Sequence, residues 1–350
     1  MKKLLKYSLF LNFSFLSTSF IVSCKSSENY NKNDYSPYKD LIEENVILND
    51  QIKSFTNKHF FKGDDKNIRE FFTQQIRVEK KFKNELNISL TFAPLFIPNI
   101  LNIASEFQLK HAINSVDVIS DTLTQRWFWY IQNIKNFSYV FNNWRSDFKD
   151  YKNSEGQNDN SDREIFTKIY DDKEKLFRSF KNYEIKEFSP EIKIENIKTD
   201  KLFDLQIVFL RMENQDKNNI LIPIFLYKKA KNGDVKISIT GEIFSFKNKI
   251  DIWNNEIYNK LANYISEGRK YFAQKTVDYQ RKLFESENKN GLEKFDETKF
   301  LIDYNDVNFI KHYDKNNYTN SFYYAINKYN DEKNQENKIY RYSWGFINEK

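Results

Sequence analysis

The 350-residue chain has one cysteine, seven glycines, five prolines and three histidines, and each scarcity excludes a class of site. A single cysteine cannot form a disulfide within the chain or supply a multi-cysteine zinc site. The seven glycines never cluster, so the sequence contains neither a phosphate-binding loop nor a dinucleotide-binding fingerprint. The Gly-x-Ser-x-Gly motif of many serine hydrolases is also missing. No catalytic residue can be named from these patterns.

The three histidines do not predict a metal site. His59, His111 and His312 lie in separate segments, and none has the spacing of a helical His-x-x-x-His pair. The stretch 156–162 contains two aspartates, but their spacing and the position of the glycine do not fit a calcium loop. We therefore expect no metal and no cofactor.

The charge balance argues against a nucleic-acid partner. The formal charge is +6, and removal of residues 1–23, which contain three lysines and no acidic residue, would lower it to +3. No block of lysine and arginine interrupts the mixed-sign pattern. Basic-aromatic pairs such as Arg341-Tyr342 suit stacking on single-stranded nucleic acid, but the charge is too low to favour that function.

The one cysteine, Cys24, closes a short apolar segment at the N-terminus. Lysines at positions 2, 3 and 6 precede 17 uncharged residues, Tyr7 to Ser23, that end in Ile-Val-Ser. This pattern is typical of a secretory signal and is marginal in length for a bilayer core of about 30 Å. An ordinary signal peptide or an uncleaved anchor would leave Cys24 as a plain thiol.

The segment resembles the lipobox of bacterial lipoproteins, in which the cysteine becomes the first residue of the mature chain. That resemblance implies a diacylglyceryl group on Cys24, with palmitate-type chains. Two acyl chains hold a protein stably on a membrane, whereas one chain binds only marginally. We therefore expect a protein anchored to the extracellular face of the cell membrane through Cys24.

The densest aromatic segment, Arg126–Trp144, holds eight aromatic residues in nineteen positions. Apolar residues three or four positions apart from Val116 to Tyr151 predict one helical stripe of about ten turns. Its simplest interpretation is a buried core helix. Because several rings lie off the stripe, the segment also suggests an exposed contact patch. That patch comprises Trp127, Phe128, Trp129 and Tyr130.

The lipobox, the chain length and the Arg126–Tyr130 sequence, Arg-Trp-Phe-Trp-Tyr, resemble mycoplasma surface proteins named for an aromatic motif or aromatic cluster. The wealth of codons rich in A and T, for Phe, Tyr, Asn, Lys and Ile, agrees with such a source. The resemblance implies a surface location, and it supplies no active-site residue.

The pattern predicts three regions: a signal peptide over 1–23, a flexible tether over 24–37 and an α+β ectodomain over 38–350. The ectodomain is expected to be mainly helical over 38–185, an antiparallel sheet over 190–250, and helix plus irregular structure or a hairpin over 251–350. Helices are predicted over 38–60, 65–87, 162–183 and 251–285. Strands are predicted over 192–197, 203–212, 220–228 and 235–246, as a four-stranded meander.

Three finer expectations concern the sheet and the C-terminus. The sequence Lys-Asn-Gly-Asp at 231–234 predicts a hairpin turn. Pro223 favours an edge strand or a bulge, because proline lacks the N–H that a central strand uses. Segments 323–329 and 339–346 could pair as a terminal hairpin. The uncharged stretch 86–105 is interrupted by prolines and polar residues, which favours a buried passage over a membrane span.

Together, these features predict a lipid-anchored, non-enzymatic surface protein that binds a host component, a neighbouring membrane protein or a ligand. Two alternatives stay open. One is the solute-binding component of a transporter, and the other is an extracellular hydrolase without a local sequence signature.

Overall fold

The computed structural model of the protein describes residues 49–61, 83–87, 89–90, 118–119, 122–141, 177–195, 197, 203–229, 234–287, 294–300, 318–332 and 337–347. All of them belong to a compact unit that spans Leu48–Lys350. The signal segment, Cys24, the tether and most of the predicted helices over 65–87 and 162–183 lie outside these residues. So do residues 38–48 of the first predicted helix, 231–233 of the predicted hairpin turn and most of the uncharged stretch 86–105. The prediction of a helix over 162–183 is wrong at its described end, because Phe177–Ser179 is a strand.

The described residues form a mixed α+β fold around a nine-stranded antiparallel sheet that curls into a half-barrel. Its strands are β1 (Phe137–Phe141), β2 (Phe177–Ser179), β3 (Tyr183–Phe188), β4 (Ile192–Ile194), β5 (Phe203–Asn214), β6 (Asn219–Lys229), β7 (Val235–Ile239), β8 (Glu242–Phe246) and β9 (Ile339–Ile347). The order is β2-β1-β9-β8-β6-β5-β3, with β4 paired to β5 and β7 paired to β6. The α+β class is confirmed, and the sheet is larger than the four strands predicted.

Four α-helices with described bounds accompany the sheet, and residues 83–87, 89–90, 118–119 and 122–124 are also helical. The four helices are α1 (Asp50–Thr56), α2 (Trp127–Gln132), α3 (Glu256–Glu287) and α4 (Tyr318–Asn330). A π-helical turn, Asn57–Phe61, follows α1 directly. The side chain of Asn254 accepts a hydrogen bond of 2.9 Å from the Glu256 N–H, which caps α3 at its start. The long helix predicted over 251–285 is therefore confirmed, with its first turn shifted.

Strands β5 and β6 are buried on both faces and form the centre of the fold. They pair in register from Phe203 opposite Lys229 to Glu213 opposite Asn219. Successive side chains of a strand point to opposite faces, so each strand contributes to two cores. On β6, the first core takes Ile220, Ile222, Ile224 and Leu226, and the second takes Leu221, Phe225 and Tyr227. Burial on both faces explains why these strands are continuous apolar runs instead of alternating ones.

Pro223 lies in this central strand and not at an edge, so the edge prediction is wrong. The carbonyl of Pro223 accepts hydrogen bonds from the Thr240 N–H at 3.1 Å and from the Thr240 hydroxyl at 2.8 Å. Thr240 stands between β7 and β8, where one neighbour of β6 ends and the next begins. Proline has no N–H to donate, and at position 223 that N–H would point toward the gap between β7 and β8. Proline therefore removes no hydrogen bond between strands at this position. The predicted strand over 235–246 is accordingly two strands.

The terminal hairpin is also a wrong prediction. Residues 323–329 belong to α4, where the buried side chains have helical spacing: Phe322, Ala325, Ile326 and Tyr329. Strand β9 forms as predicted, but it pairs with β8 on one side and β1 on the other. The predicted antiparallel meander forms, from β4 through β5 and β6 to β7 and β8. Strand β9 extends the sheet beyond β8 and comes from about 90 residues further along the chain.

The second core lies between the sheet and the pair of helices α3 and α4. The two helices approach closely at Gly268, where an added Cβ would lie 2.9 Å from both the Cα and the carbonyl oxygen of Ser321. A side chain at this position would push the helices apart. The glycine therefore sets how closely α3 and α4 approach each other.

Candidate functional site

The aromatic segment does not form the continuous helix that its spacing predicts. Helix α2 ends at Gln132, and a short 3-10 turn leads into β1. The Asn133 side chain donates a hydrogen bond of 2.8 Å to the Trp129 carbonyl, which competes with continuation of the helix. In β1, Phe137 and Tyr139 are both fully buried. Aromatic and β-branched residues suit a strand, and here tertiary pairing outweighs the helical spacing.

The four residues proposed as a contact patch all lie in the core. The exposed fractions of Trp127, Phe128, Trp129 and Tyr130 are 4%, 0%, 4% and 1%. They pack in the first core with the apolar side chains of β5 and β6. The structure thus supports the core interpretation of these rings, and they form no surface patch in this fold.

Six rings from distant parts of the chain pack against one another, and we call them the aromatic cluster: Tyr130, Phe137, Tyr139, Phe180, Tyr342 and Trp344. Trp344 lies at their centre, with its ring centroid 4.5 Å from that of Tyr130 and 5.3 Å from that of Phe180. Tyr139 lies 4.6 Å from Phe180 and 5.2 Å from Tyr342. Most of these contacts are edge-on or tilted, which is the arrangement that ring quadrupoles favour.

Two polar groups of the aromatic cluster have hydrogen-bond partners. The Trp344 Nε1–H donates to the Thr240 carbonyl at 3.1 Å, and the hydroxyls of Tyr139 and Tyr183 lie 3.4 Å apart. Burial raises the pKa of Tyr130 and of Tyr139 well above 10.0, so both hydroxyls stay protonated. The Tyr130 hydroxyl is fully buried and has no hydrogen-bond partner among the described residues.

Tyr130→Phe should therefore raise the free energy of unfolding by about 1 kcal/mol, because it removes a buried hydroxyl that has no partner. Tyr139→Phe is the matched control. It removes a hydroxyl that contacts Tyr183 and should lower the stability by a similar amount. Urea unfolding of both variants measures the difference, and a loss of stability in Tyr130→Phe as large as in Tyr139→Phe would contradict this assignment.

A polar network lies at the β5–β6 turn. Arg211 donates to Glu187 at 2.9 Å, to Asn219 at 3.0 Å and to Glu213 at 3.3 Å. Burial raises the pKa of Glu213, but the neighbouring cations, Lys217 foremost, outweigh it and hold that pKa below 4.5. Because these donors and acceptors satisfy one another, the network holds the turn in place. The described residues contain no group of three or more His, Cys, Asp or Glu that could hold a metal ion.

Exposed apolar side chains instead mark α3. The large hydrophobic residues that the described part of the chain exposes are Ile252, Tyr271, Tyr279 and Leu283, at 88%, 41%, 60% and 38%. Three of the four belong to α3, and we call Tyr271, Tyr279 and Leu283 the outer face of α3. The ring of Tyr271 also contacts that of Tyr324 on α4, with centroids 5.6 Å apart. Sequence reasoning located the helix but missed this face. The buried side of α3 includes Ala273 and Val277. Apolar residues that lie away from this side were the sequence signal that could have identified the outer face.

Comparison with known proteins identifies the family. The family model described as aromatic cluster surface protein matches residues 25–283, about three quarters of the chain. No curated protein and no solved structure matches. Among the described residues, no helix is both long and apolar enough to cross a membrane. The family match confirms the resemblance seen in the sequence: the chain belongs to the aromatic cluster surface protein family.

Proposed function

We propose that this protein is anchored to the cell surface by a lipid on Cys24 and binds a neighbouring copy of itself through the outer face of α3. The family name supports a surface location. The lipobox pattern supports the anchor. The observation that carries the binding activity is the concentration of exposed large hydrophobic side chains on one helix.

The size of the outer face favours a partner in the same membrane. Stable complexes between soluble proteins bury roughly 20–30 residues on each side, far more than three side chains supply. Two proteins tethered to one membrane meet at a high effective concentration, so a small contact suffices. A neighbouring membrane protein therefore fits this face better than a soluble host component.

A second copy is the partner that this face fits. Tyr279 and Leu283 lie one helical turn apart. When two α3 helices pack antiparallel, Tyr279 of each can contact Leu283 of the other, which gives a closed two-fold contact. Each copy contributes the same two residues, Tyr279 and Leu283, so neither copy needs a second binding surface.

The test uses the full chain, purified from membranes and returned to vesicles at low density. One population of the protein carries a donor dye and another carries an acceptor dye. We expect energy transfer above the level of random placement. Tyr279→Ser combined with Leu283→Ser should weaken the association constant about tenfold or more, since each buried apolar side chain contributes about 1.5–3 kcal/mol. Ile252→Ser, which removes an exposed apolar residue outside the outer face, is the matched control and should retain the transfer.

Cys24→Ser tests the anchor separately, because the protein should then be released from the membrane or remain unprocessed. Unchanged retention of a processed chain would contradict the anchor. Random energy transfer in the wild type would contradict the contact between copies. In that case, binding of a host component or a solute, or hydrolysis, would remain as the function.

A further inference from the structure

We propose that α1 and the π-helical turn after it, Asp50–Phe61, form an acid-sensitive contact that His59 controls. We call these residues the α1 segment. Along the chain, this segment is the first described element after Cys24 and the tether. The inference does not depend on the contact between copies.

Among the described contacts of the α1 segment with the sheet, one is made by an aromatic ring. Phe55 stacks on Phe188 at the end of β3, with centroids 4.1 Å apart and an angle of 8° between the rings. It also meets Trp127 edge-on, at 6.3 Å. Ile52 and Thr56 are buried beside it. A change of about 1 kcal/mol at the edge of this contact alters how often the segment detaches.

His59 sits at that edge among charged groups from three parts of the fold. Its side chain is 7% exposed, and its ring centroid lies 4.6 Å from that of Phe55. The His59 Nε2 atom is 3.5 Å from Glu191 Oε1, and Lys58 Nζ is 2.5 Å from the same oxygen. Lys228, at the end of β6, is the third charged group that acts on His59. A proton on His59 would therefore add a cation beside two lysines and one carboxylate.

The balance of these effects disfavours the charged imidazole. Burial is the largest effect and lowers the pKa of His59 below 6.5; Glu191 opposes this change, and Lys58 and Lys228 reinforce it. Burial also raises the pKa of Glu191, but Lys58 and His59 outweigh it and hold that pKa below 4.5. The surroundings of Glu191 therefore favour its charged form.

The direction of the pH effect follows from the difference between the pKa of His59 in the attached segment and its pKa in the detached segment. The detached segment binds a proton with the ordinary pKa of 6.5, whereas the attached segment resists protonation. Attachment is therefore fully favourable above pH 6.5 and weakens as the pH falls through the lowered pKa. Detachment of residues 49–61 would lengthen the connection to the anchor by up to about 43 Å, at about 3.3 Å per extended residue.

Hydrogen exchange of the full chain in detergent tests this inference, at pH 7.5 and 5.5 and with correction for intrinsic exchange rates. Peptides covering residues 50–61 should lose protection about threefold or more at the lower pH, relative to peptides of β5 and β6. His59→Gln should abolish that dependence. His312→Gln, which changes a histidine elsewhere in the chain, should keep it.

Lys228→Gln is a second variant, which keeps the test valid if His59→Gln disturbs the packing around His59. Lys228 is exposed and acts on His59 by charge alone, so its removal should reduce the acid effect while protection at pH 7.5 stays unchanged. Equal protection of residues 50–61 at both pH values in the wild type would overturn the inference. Undiminished pH dependence in His59→Gln would overturn it as well.

Discussion

Arg341→Ala should lower the free energy of unfolding by about 3–5 kcal/mol, because it leaves a buried carboxylate without its partner. Arg341 on β9 and Glu242 on β8 are each 1% exposed. The guanidinium donates through Nε and Nη2 to the two carboxylate oxygens, in a two-pronged geometry. Once the arginine is gone, the charge of Glu242 has neither water nor a cation to stabilise it.

The pair also selects the register of β9. Arg341 lies opposite Phe244, and its neighbour Tyr342 points to the other face, into the first core. A slip of one residue would exchange these faces and place the arginine among the aromatic rings. We infer that the ion pair excludes this alternative, which matters for a strand that enters the sheet from far along the chain.

Urea unfolding measures the effect, and the double variant Glu242→Leu with Arg341→Met is its control. Replacement of both partners by apolar residues removes the uncompensated charge, so most of the stability should return. A loss below about 1 kcal/mol in Arg341→Ala would mean that water reaches the carboxylate, contrary to its burial. A double variant as unstable as the single one would assign the loss to packing alone.

Trp344→Ala should cost a similar amount, about 3–5 kcal/mol, since it removes the central ring of the aromatic cluster. Trp344 is fully buried, and its ring contacts those of Tyr130, Phe137 and Phe180. The substitution opens a cavity where α2, β1 and β9 meet. It also leaves the Thr240 carbonyl without the bond from the indole N–H.

Two further variants separate the role of the cluster from a general effect of losing aromatic residues. Trp344→Phe keeps a ring in place and should lose less than half as much stability. Tyr279→Ala removes a ring that is 60% exposed, and its effect should stay within about 0.5 kcal/mol. Chemical unfolding of the three proteins gives the comparison, and equal losses in Trp344→Ala and Tyr279→Ala would contradict a buried cluster.

The sequence predicted the elements whose formation depends on local pattern and burial. Strands β5 and β6 lie within about two residues of their predicted bounds, because continuous runs of β-branched and aromatic residues favour strands buried on both faces. Helix α3 was equally visible from its apolar spacing. The preference of these residues for strand or helix depends on neighbours close in the sequence. A single sequence is therefore enough to identify these elements.

The sequence could not predict features set by distant partners. The spacing from Trp127 to Phe141 fits a helix, yet pairing of Tyr139 with Trp344 and Arg178 makes its second part a strand. Pro223 was assigned to an edge because the break between β7 and β8, which accommodates it, arises in the folded sheet. The position of β9 between β1 and β8 had no local signal.

The candidate contact surface also depended on distant parts of the chain. A dense aromatic segment suggested Trp127 to Tyr130 as a contact patch, but rings from other elements pack against it: Phe55 of α1, Phe137 of β1 and Trp344 of β9. The outer face of α3 is visible only once the sheet and α4 define which side of the helix is buried. The anchor at Cys24 stays a prediction from sequence, and Cys24→Ser tests it.

Hydroxyl-radical footprinting of the intact protein tests most directly whether the aromatic cluster is the core of the domain. Solvent-accessible rings react quickly, so Tyr271 and Tyr279 serve as exposed references within the same molecule. We expect Trp127, Trp129, Tyr130 and Trp344 to be protected at least tenfold relative to these two tyrosines in the native state, and to lose that protection in urea. Native-state labelling of Trp129 or Tyr130 at the rate of Tyr279 would contradict a buried cluster.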